Sequence, residues 1–275
     1  MAQFGYTVAG FGAGAEQGIV EIDVDAIEFN GSSSKIEYTN SFWRYIDPMN
    51  SGGGSPNATG TFSMWLKPDA IFSAGSKPIM QIGSVDGTPS IRVAYNYSSG
   101  GVGGMYLEVE FIGSLNEFGY WKKYTTTIGS LTGNVWQHCA FAFTNGGITA
   151  FFIDGATVSS FGINGSGADT DPADTENTLI GYDGSTYGGF CLAELYIDQT
   201  HRLLSNMTDF ITKVTSPTAA TTKPSPRGKP VRIADPGNNY FYLTGDSTTW
   251  ANQGTNTLGT QTLSNITDCA DSPSD

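Results

Sequence analysis

The chain has 275 residues, and its 13 Lys and Arg stand against 26 Asp and Glu, for a formal net charge of −13. This charge repels phosphate backbones and anionic lipid, so nucleic acid and membranes are not expected partners. The 36 glycines favour short strands and tight turns over long helices. The sequence shows neither a basic and apolar leader nor a run of about 18 apolar residues, which predicts synthesis in a cytoplasm and no membrane span.

Residues 1–25 are predicted to form a Gly-rich N-terminal arm. The aromatic residues Phe4, Tyr6 and Phe11 would need burial against another surface, so they are expected to contact other subunits. The segment Gly10–Ala15 superficially matches a G-x-G-x-x-A phosphate loop. A strand follows it where a dinucleotide site needs a helix, so the arm is the preferred interpretation.

Residues 26–200 alternate apolar and polar side chains, which predicts strands with one buried face. In Gly104–Phe111, for example, Tyr106, Glu108 and Glu110 fall on a face expected to be exposed to water. Consecutive hairpins without helices predict an all-β fold, a two-sheet antiparallel sandwich. Hairpin turns are predicted at Asn145-Gly146-Gly147 and Asp154-Gly155, and Asp86 and Asp183 are also expected in turns. The other predicted strands are Ala26–Tyr38, Gly60–Lys67, Ile79–Gly83, Ser90–Tyr97, Trp121–Ile128, Trp136–Thr144, Ile148–Ile153, Ala156–Phe161, Leu179–Gly181 and Gly189–Ile197.

Residues 201–275 are predicted to contain a short helix, a Pro-rich linker and an irregular C-terminal extension. Helical spacing behind a Ser205 N-cap is given by Met207, Phe210, Ile211 and Val214. The extension has one strong strand, Tyr240–Leu243, and is too poor in apolar residues to fold alone. Its large rings need cover from the sandwich or a neighbouring subunit, and we expect assembly contacts from Tyr240, Tyr242 and Trp250.

Four segments resemble, in this order, the laminin G-like and concanavalin A-like jelly-roll family: residues 26–41, 60–69, 134–160 and 177–198. The most diagnostic part is Trp136-Gln137-His138, followed after one hairpin by Phe152-Ile153-Asp154-Gly155. The resemblance implies a jelly-roll sandwich. It implies less about function, because this fold hosts lectins, glucanases, adhesion modules and virus particle proteins.

The C-terminal part is similar to segments that follow such sandwiches in virion proteins of phages, marine phages in particular. The similarity lies in residues 228–231, 241–256 and 272–275. It implies a virion protein that is synthesised in the host cytoplasm and fixed to its neighbours by its two ends.

An enzymatic alternative comes from Glu21, Asp23 and Asp25, whose alternation places three carboxylates on one strand face. Family-16 glucanases share the jelly-roll fold and carry a similar E-x-D-x-E strand, in which two carboxylates act as nucleophile and acid. Here the last position is the shorter Asp, and the segment precedes the sandwich. A solvated acidic strand is preferred, and the chain is predicted not to be an enzyme.

The cysteines and histidines offer no catalytic pattern. Three widely spaced cysteines, Cys139, Cys191 and Cys269, predict reduced and mostly buried thiols. His138 is expected to pack as a structural residue, and His201 to be exposed. No triad or metal site follows from them.

Two candidate binding sites remain. The acidic loop of residues 169–176 is a candidate Ca²⁺ site through Asp169, Asp171, Asp174 and Glu176, with a plain solvated loop as the alternative; no other cofactor is expected. Aromatic residues for stacking on a host-surface polysaccharide are Tyr95, Tyr97, Tyr120, Trp121 and Tyr124. The preferred alternative is that these rings cap the core or fill a subunit contact.

The sequence therefore predicts a non-catalytic structural protein of a phage virion, a capsid decoration or a tail or fibre component. Its expected partners are other virion proteins and copies of itself, and its sandwich would face outward, where it can contact host-surface glycans. The alternative is a glycan-binding adhesin or a receptor-binding protein at a fibre tip.

Overall fold

A computed structural model describes residues 24–39, 59–70, 74–83, 89–98, 104–112, 121–144, 147–163, 177–198, 211–215, 220–224, 240–254 and 259–273. All regular elements in these ranges are β-strands, and every strand pairing is antiparallel. The all-β prediction is thereby confirmed. This part of the chain contains no helix that is long and apolar enough to cross a membrane.

One sheet has nine strands in the order β10-β9-β8-β3-β13-β1-β19, with β16 also paired to β13 and β17 paired to β16. The bounds of these strands are β1 Ile27–Asn30, β3 Thr59–Pro68, β8 Gln137–Thr144, β9 Gly147–Ile153, β10 Ala156–Val158, β13 Gly189–Asp198, β16 Tyr240–Thr244, β17 Ala251–Asn252 and β19 Thr267–Asp268.

A second sheet has eight strands in the order β11-β7-β6-β5-β4-β12-β2-β18. Their bounds are β2 Lys35–Tyr38, β4 Gly75–Gly83, β5 Pro89–Ser98, β6 Gly104–Ile112, β7 Trp121–Thr126, β11 Ser160–Ile163, β12 Thr178–Ile180 and β18 Gln261–Ser264. A separate pair is formed by β14 Ile211–Thr215 and β15 Ala220–Pro224.

The two large sheets pack face to face over one apolar core, which draws side chains from both. Phe62 and Phe141 stack at 4.7 Å between ring centroids in the nine-stranded sheet. Across the core, Tyr95 of the eight-stranded sheet contacts Phe190 edge-on at 6.4 Å, and its hydroxyl donates to the Gly189 carbonyl. Tyr95 thus joins the two sheets.

The predicted strands and hairpins correspond closely to the observed ones. The turn between β9 and β10 is formed by Asp154 and Gly155, which have φ of 49° and 70°, the left-handed conformations that a tight hairpin demands. Two predicted strands are interrupted: Ala156–Phe161 divides at Ser159 into β10 and β11 of different sheets, and Ala26–Tyr38 divides into β1 and β2. Asn30 Oδ1 accepts hydrogen bonds from the amides of Ser32, Ser33 and Ser34 and turns the chain from β1 into β2, which belong to different sheets.

The C-terminal extension completes both sheets. β16 pairs with β13, β18 pairs with β2 and β19 pairs with β1. Tyr240, Tyr242 and Trp250 are buried within their own chain. The prediction that these three rings form assembly contacts was wrong, because the sandwich itself covers them.

Two further predictions need correction. Ile211 and Val214, placed in a helix by their spacing, lie in β14, where Val214 pairs with Thr221 of β15; residues 201–210 lie outside the described ranges. Cys191 and Cys269 are not free thiols but form a disulfide, because β1 brings the extension alongside β13. Cys139 is free and buried, as predicted.

Candidate functional site

The outer side of the eight-stranded sheet carries a group of charged residues. Ile91 and Val93 of β5 point into the core, so the alternation of a strand turns Arg92 outward. The register of β5, β6 and β7 sets Arg92 opposite Glu110, and Glu110 opposite Lys123. We call this surface the polar face.

Arg92 is the centre of the ion network. Its Nη1 lies 3.5 Å from both Glu108 Oε1 and Glu110 Oε2, and its Nη2 donates to Ser76 Oγ at 2.8 Å. Asp183 Oδ2 accepts from Nε at 3.3 Å and from Nη2 at 3.1 Å. Every nitrogen of the guanidinium is therefore engaged, which fixes the side chain in one orientation.

Lys123 bridges the same two glutamates from the neighbouring strand. Its Nζ lies 3.0 Å from Glu108 Oε2 and 2.8 Å from Glu110 Oε1. Burial would lower the pKa of Lys123, but hydrogen bonds to Glu110 and Glu108 outweigh it and raise the pKa above its ordinary value. Each glutamate thus faces two cations, and as an ionised carboxylate it can only accept hydrogen bonds.

The hairpin Tyr182–Tyr187 forms the rim of the polar face. The two tyrosine rings are 4.4 Å apart between centroids, are inclined by 30° and are both partly exposed. Asp183 Oδ1 accepts from the amides of Ser185 and Thr186 at 3.1 and 2.7 Å, which confirms the predicted turn. Burial would raise the pKa of Asp183, but these hydrogen bonds and the charge of Arg92 lower it. Asp183 therefore ties the aromatic hairpin to the ion network.

Two polar side chains of this surface are buried and lack a hydrogen-bond partner within the described ranges. They are Asn96, 7% exposed, through Nδ2, and Thr125, 3% exposed, through Oγ1. Asn96 shares the outward side of β5 with Arg92, and Thr125 pairs with Glu108. A buried donor or acceptor without a partner is costly, so these atoms are suited to hydrogen bonds with a ligand.

The aromatic set that the sequence suggested for sugar stacking is not brought together at this surface. Tyr95 is fully buried, and Tyr97 and Tyr124 pack against the core, because each lies one residue out of phase with the outward positions. That assignment was wrong for Tyr95, whose ring has no exposed face. Tyr120 and the side chain of Trp121 lie outside the described residues.

Other candidate residues are placed as follows. His138 is fully buried. Its Nε2 shares a hydrogen bond of 2.8 Å with Ser63 Oγ, and its ring packs edge-on against Trp65. Its predicted structural role is therefore confirmed. Burial lowers the pKa of His138 to about 3. Asp25 is exposed. The part of the chain that the structure describes contains no His, Cys, Asp and Glu cluster able to hold a metal ion. The remaining candidates lie outside it: Phe4, Tyr6, Phe11, Glu21, Asp23, Asp169, Asp171, Asp174, Glu176 and His201.

The polar face was missed by sequence reasoning. Glu108 was expected to face water, yet its side chain is only 4% exposed because Arg92 and Lys123 close over it. The signal was available in part. If β5, β6 and β7 are taken as a meander, one cation lies on each side of Glu108 and Glu110. The sequence did not predict that Asp183, in a hairpin 91 residues away, contacts Arg92.

Residues 45–200 match a family model described as the concanavalin A-like lectin/glucanases superfamily. No curated protein matches the chain significantly. A native heptameric SAP-like pentraxin from Limulus polyphemus superposes with a TM-score of 0.47 at 12% identity, over 68% of this chain and 83% of the pentraxin. For the botulinum neurotoxin serotype D binding domain, the TM-score is 0.43 at 12% identity, and the match spans 83% of this chain but only 60% of the toxin domain. The CBM40 of a Ruminococcus gnavus IT-sialidase, bound to α2,3 sialyllactose, superposes with a TM-score of 0.38 at 14% identity, over 65% of this chain and 94% of the CBM40.

Proposed function

Since the chain belongs to the concanavalin A-like lectin/glucanase superfamily, we propose that it is a non-catalytic binding protein of a phage virion. In this proposal the sandwich faces outward and contacts host-surface glycans through the polar face.

The observation that carries the binding role is the juxtaposition of the Tyr182 and Tyr187 rings with the ion network, joined through Asp183. Exposed aromatic rings supply an apolar surface for the C–H groups of a sugar ring. The neighbouring carboxylates, with the free Asn96 and Thr125 atoms, are matched to sugar hydroxyls, which both donate and accept. A few fixed polar groups beside aromatic rings are typical of small-molecule sites.

The same network argues against hydrolysis. A retaining or inverting glycosidase needs one protonated carboxyl group as acid and a second carboxylate as nucleophile or base. Glu108 and Glu110 alternate on β6 as such a pair would, but both are bound by the same two cations. Both carboxylates are therefore engaged in ion pairs within the network.

Three features support a role on a virion. The net charge of −13 suits a protein that is crowded on a particle, because like charges keep copies apart. The Cys191–Cys269 disulfide suits a protein that works outside a reducing cytoplasm, as virion surface proteins do. The third feature is the similarity of the C-terminal residues to phage virion proteins. In this proposal the Gly-rich arm fixes the chain to its neighbours.

Mass spectrometry of purified particles tests the virion assignment: the chain should be present at stoichiometric copy number. Its absence from particles, together with glycan binding, would favour the adhesin alternative. A chain that lacks residues 1–18 should fold and bind glycans but fail to incorporate, and normal incorporation would overturn the role given to the arm.

A glycan array with the purified chain tests the binding role. The matched variants are Tyr182→Ala, which removes the ring, and Tyr182→Phe, which keeps it. We expect at least tenfold weaker binding for Ala and near-normal binding for Phe. Reducing-sugar release from a β-glucan panel should be nil, and turnover that Glu108→Gln abolishes would contradict the non-catalytic assignment.

A further inference from the structure

We infer that the polar face selects neutral saccharides and rejects acidic ones, an inference that rests on the proposed glycan-binding function. It follows from how the cations of this surface are used. An acidic saccharide carries a carboxylate or sulfate, and its recognition needs a cation with free donors, usually an Arg that binds two oxygens at once.

Arg92 cannot fill that role. It already donates four hydrogen bonds, to Glu108, Ser76 and, through two nitrogens, Asp183, and it forms an ion pair with Glu110 at 3.5 Å. To bind a ligand anion, Arg92 would have to break an ion pair and leave a nearly buried carboxylate without its counter-charge. Such a rearrangement is strongly unfavourable.

Among the described residues, Lys123 and Lys35 are the other cations placed at this surface, and each forms an ion pair. Lys123 lies within 3.0 Å of both glutamates. Lys35 lies 3.2 Å from Glu37 Oε2, and its Nζ sits 5.7 Å from the centroid of the Tyr182 ring. Lys35 therefore occupies the rim beside the ring.

The charge balance points in the same direction. Three cations stand against four carboxylates, which gives a net charge of −1 for the set Arg92, Lys123, Lys35, Glu108, Glu110, Asp183 and Glu37. The chain as a whole adds a negative potential. An anionic ligand is repelled, whereas a neutral ligand with hydroxyl donors finds carboxylate acceptors with lone pairs to spare.

Asn96 and Thr125 complete the case for a hydroxylated ligand. The amide nitrogen of Asn96 is a donor, and the Thr125 hydroxyl can donate and accept. Neither group carries charge. Together with the carboxylates they offer both donors and acceptors, which is what the hydroxyl groups of a neutral sugar require.

The test is an array of neutral oligosaccharides, each paired with a counterpart of the same backbone that bears carboxylate or sulfate. Oligogalacturonides and their fully methyl-esterified forms are one such pair, because the sugar backbone is the same and each carboxylate is replaced by a neutral methyl ester. Any neutral saccharide bound by the chain should lose at least tenfold in affinity in its acidic form. Lower ionic strength should widen this gap, because screening is reduced.

The variant Glu110→Gln sharpens the test. It removes one negative charge and releases one contact each of Arg92 and Lys123, so the acidic forms should gain affinity relative to the neutral ones. Glu28→Gln, a carboxylate of β1 in the other sheet, is the control and should leave the ratio unchanged. Thermal melting establishes that both variants are folded.

The outcomes separate the two proposals. Equal or tighter binding of acidic saccharides, with loss on Tyr182→Ala, would overturn the inferred selectivity and leave the binding role intact. Absence of binding to both series would overturn both.

Discussion

Removal of the Cys191–Cys269 disulfide should destabilise the sandwich markedly. The bond links β13, in the middle of the nine-stranded sheet, to the segment just after β19, across 78 residues of sequence. A cross-link restricts the unfolded chain, and its effect grows with the length of the loop that it closes. The chain-entropy relation gives about 4.5 kcal/mol at 25 °C for a loop of this length.

The native contacts around the bond show which part should loosen first. The amide of Cys269 donates to the Ala26 carbonyl at 3.0 Å, and Lys67 Nζ lies 2.6 Å from Asp271 Oδ1. Both contacts lie close to the disulfide, and the ion pair is partly exposed. Without the bond, the last strands would be held by short pairings alone, since β19 has two residues.

The assay is guanidinium unfolding of the wild-type chain and of Cys269→Ser, each with and without dithiothreitol. We expect Cys269→Ser to lose about 4.5 kcal/mol in the free energy of unfolding, or roughly 10 °C in Tm. The reductant should produce the same loss in the wild type and no further loss in the variant. Under denaturing, non-reducing conditions one thiol should titrate, that of Cys139, whose burial raises its pKa in the native chain.

Two results would refute this reasoning. Three titratable thiols in the unfolded, unreduced chain would mean that the bond does not form. A variant as stable as the oxidised wild type would mean that the cross-link does not restrict the unfolded chain as the entropy relation requires.

Three further predictions concern buried and partly buried side chains. Arg92→Met should cost about 3 kcal/mol, because it leaves the partly buried Asp183 without its counter-charge and leaves Glu108 paired with Lys123 alone; a loss below about 1 kcal/mol in urea unfolding would contradict this. Trp250→Ala should cost about 3–5 kcal/mol by urea unfolding, because the ring is buried with the C-terminal extension against the core, and a near-neutral effect would mean that the extension is not packed there. The third prediction concerns pH. His138 has a folded-state pKa of about 3 against an ordinary value of 6.5, so between these values the unfolded chain binds more protons. Stability should therefore fall as pH drops below 6.5, and His138→Gln should flatten this dependence in melts between pH 4 and pH 7; an unchanged slope would argue against a buried neutral imidazole.

The sandwich strands could be predicted because their signals are local. Alternation along a strand and the Asp154-Gly155 turn depend on neighbouring residues only. The helix prediction failed at Ile211 and Val214 for the same reason. Ile211 and Val214 fit a helical spacing, but the chain there pairs with Ala220–Pro224, and a five-residue segment is too short for spacing alone to separate strand from helix.

Features built from distant parts of the chain could not be predicted. Cys191 and Cys269 come together only because β13 and β19 both pair with β1 in the sheet. Asp183 reaches Arg92 across 91 residues of sequence. The predicted stacking residues do not share one exposed face, because the phase of β5 and β7 turns Tyr95 and Tyr124 toward the core.

The most direct test of the account is a crystal structure of the chain with the saccharide that it binds most tightly. We predict that the sugar ring stacks on Tyr182 or Tyr187 and that its hydroxyls donate to Glu110 or Asp183 on the polar face. A saccharide bound instead on the nine-stranded sheet, or at a site that contacts none of these four residues, would contradict the assignment.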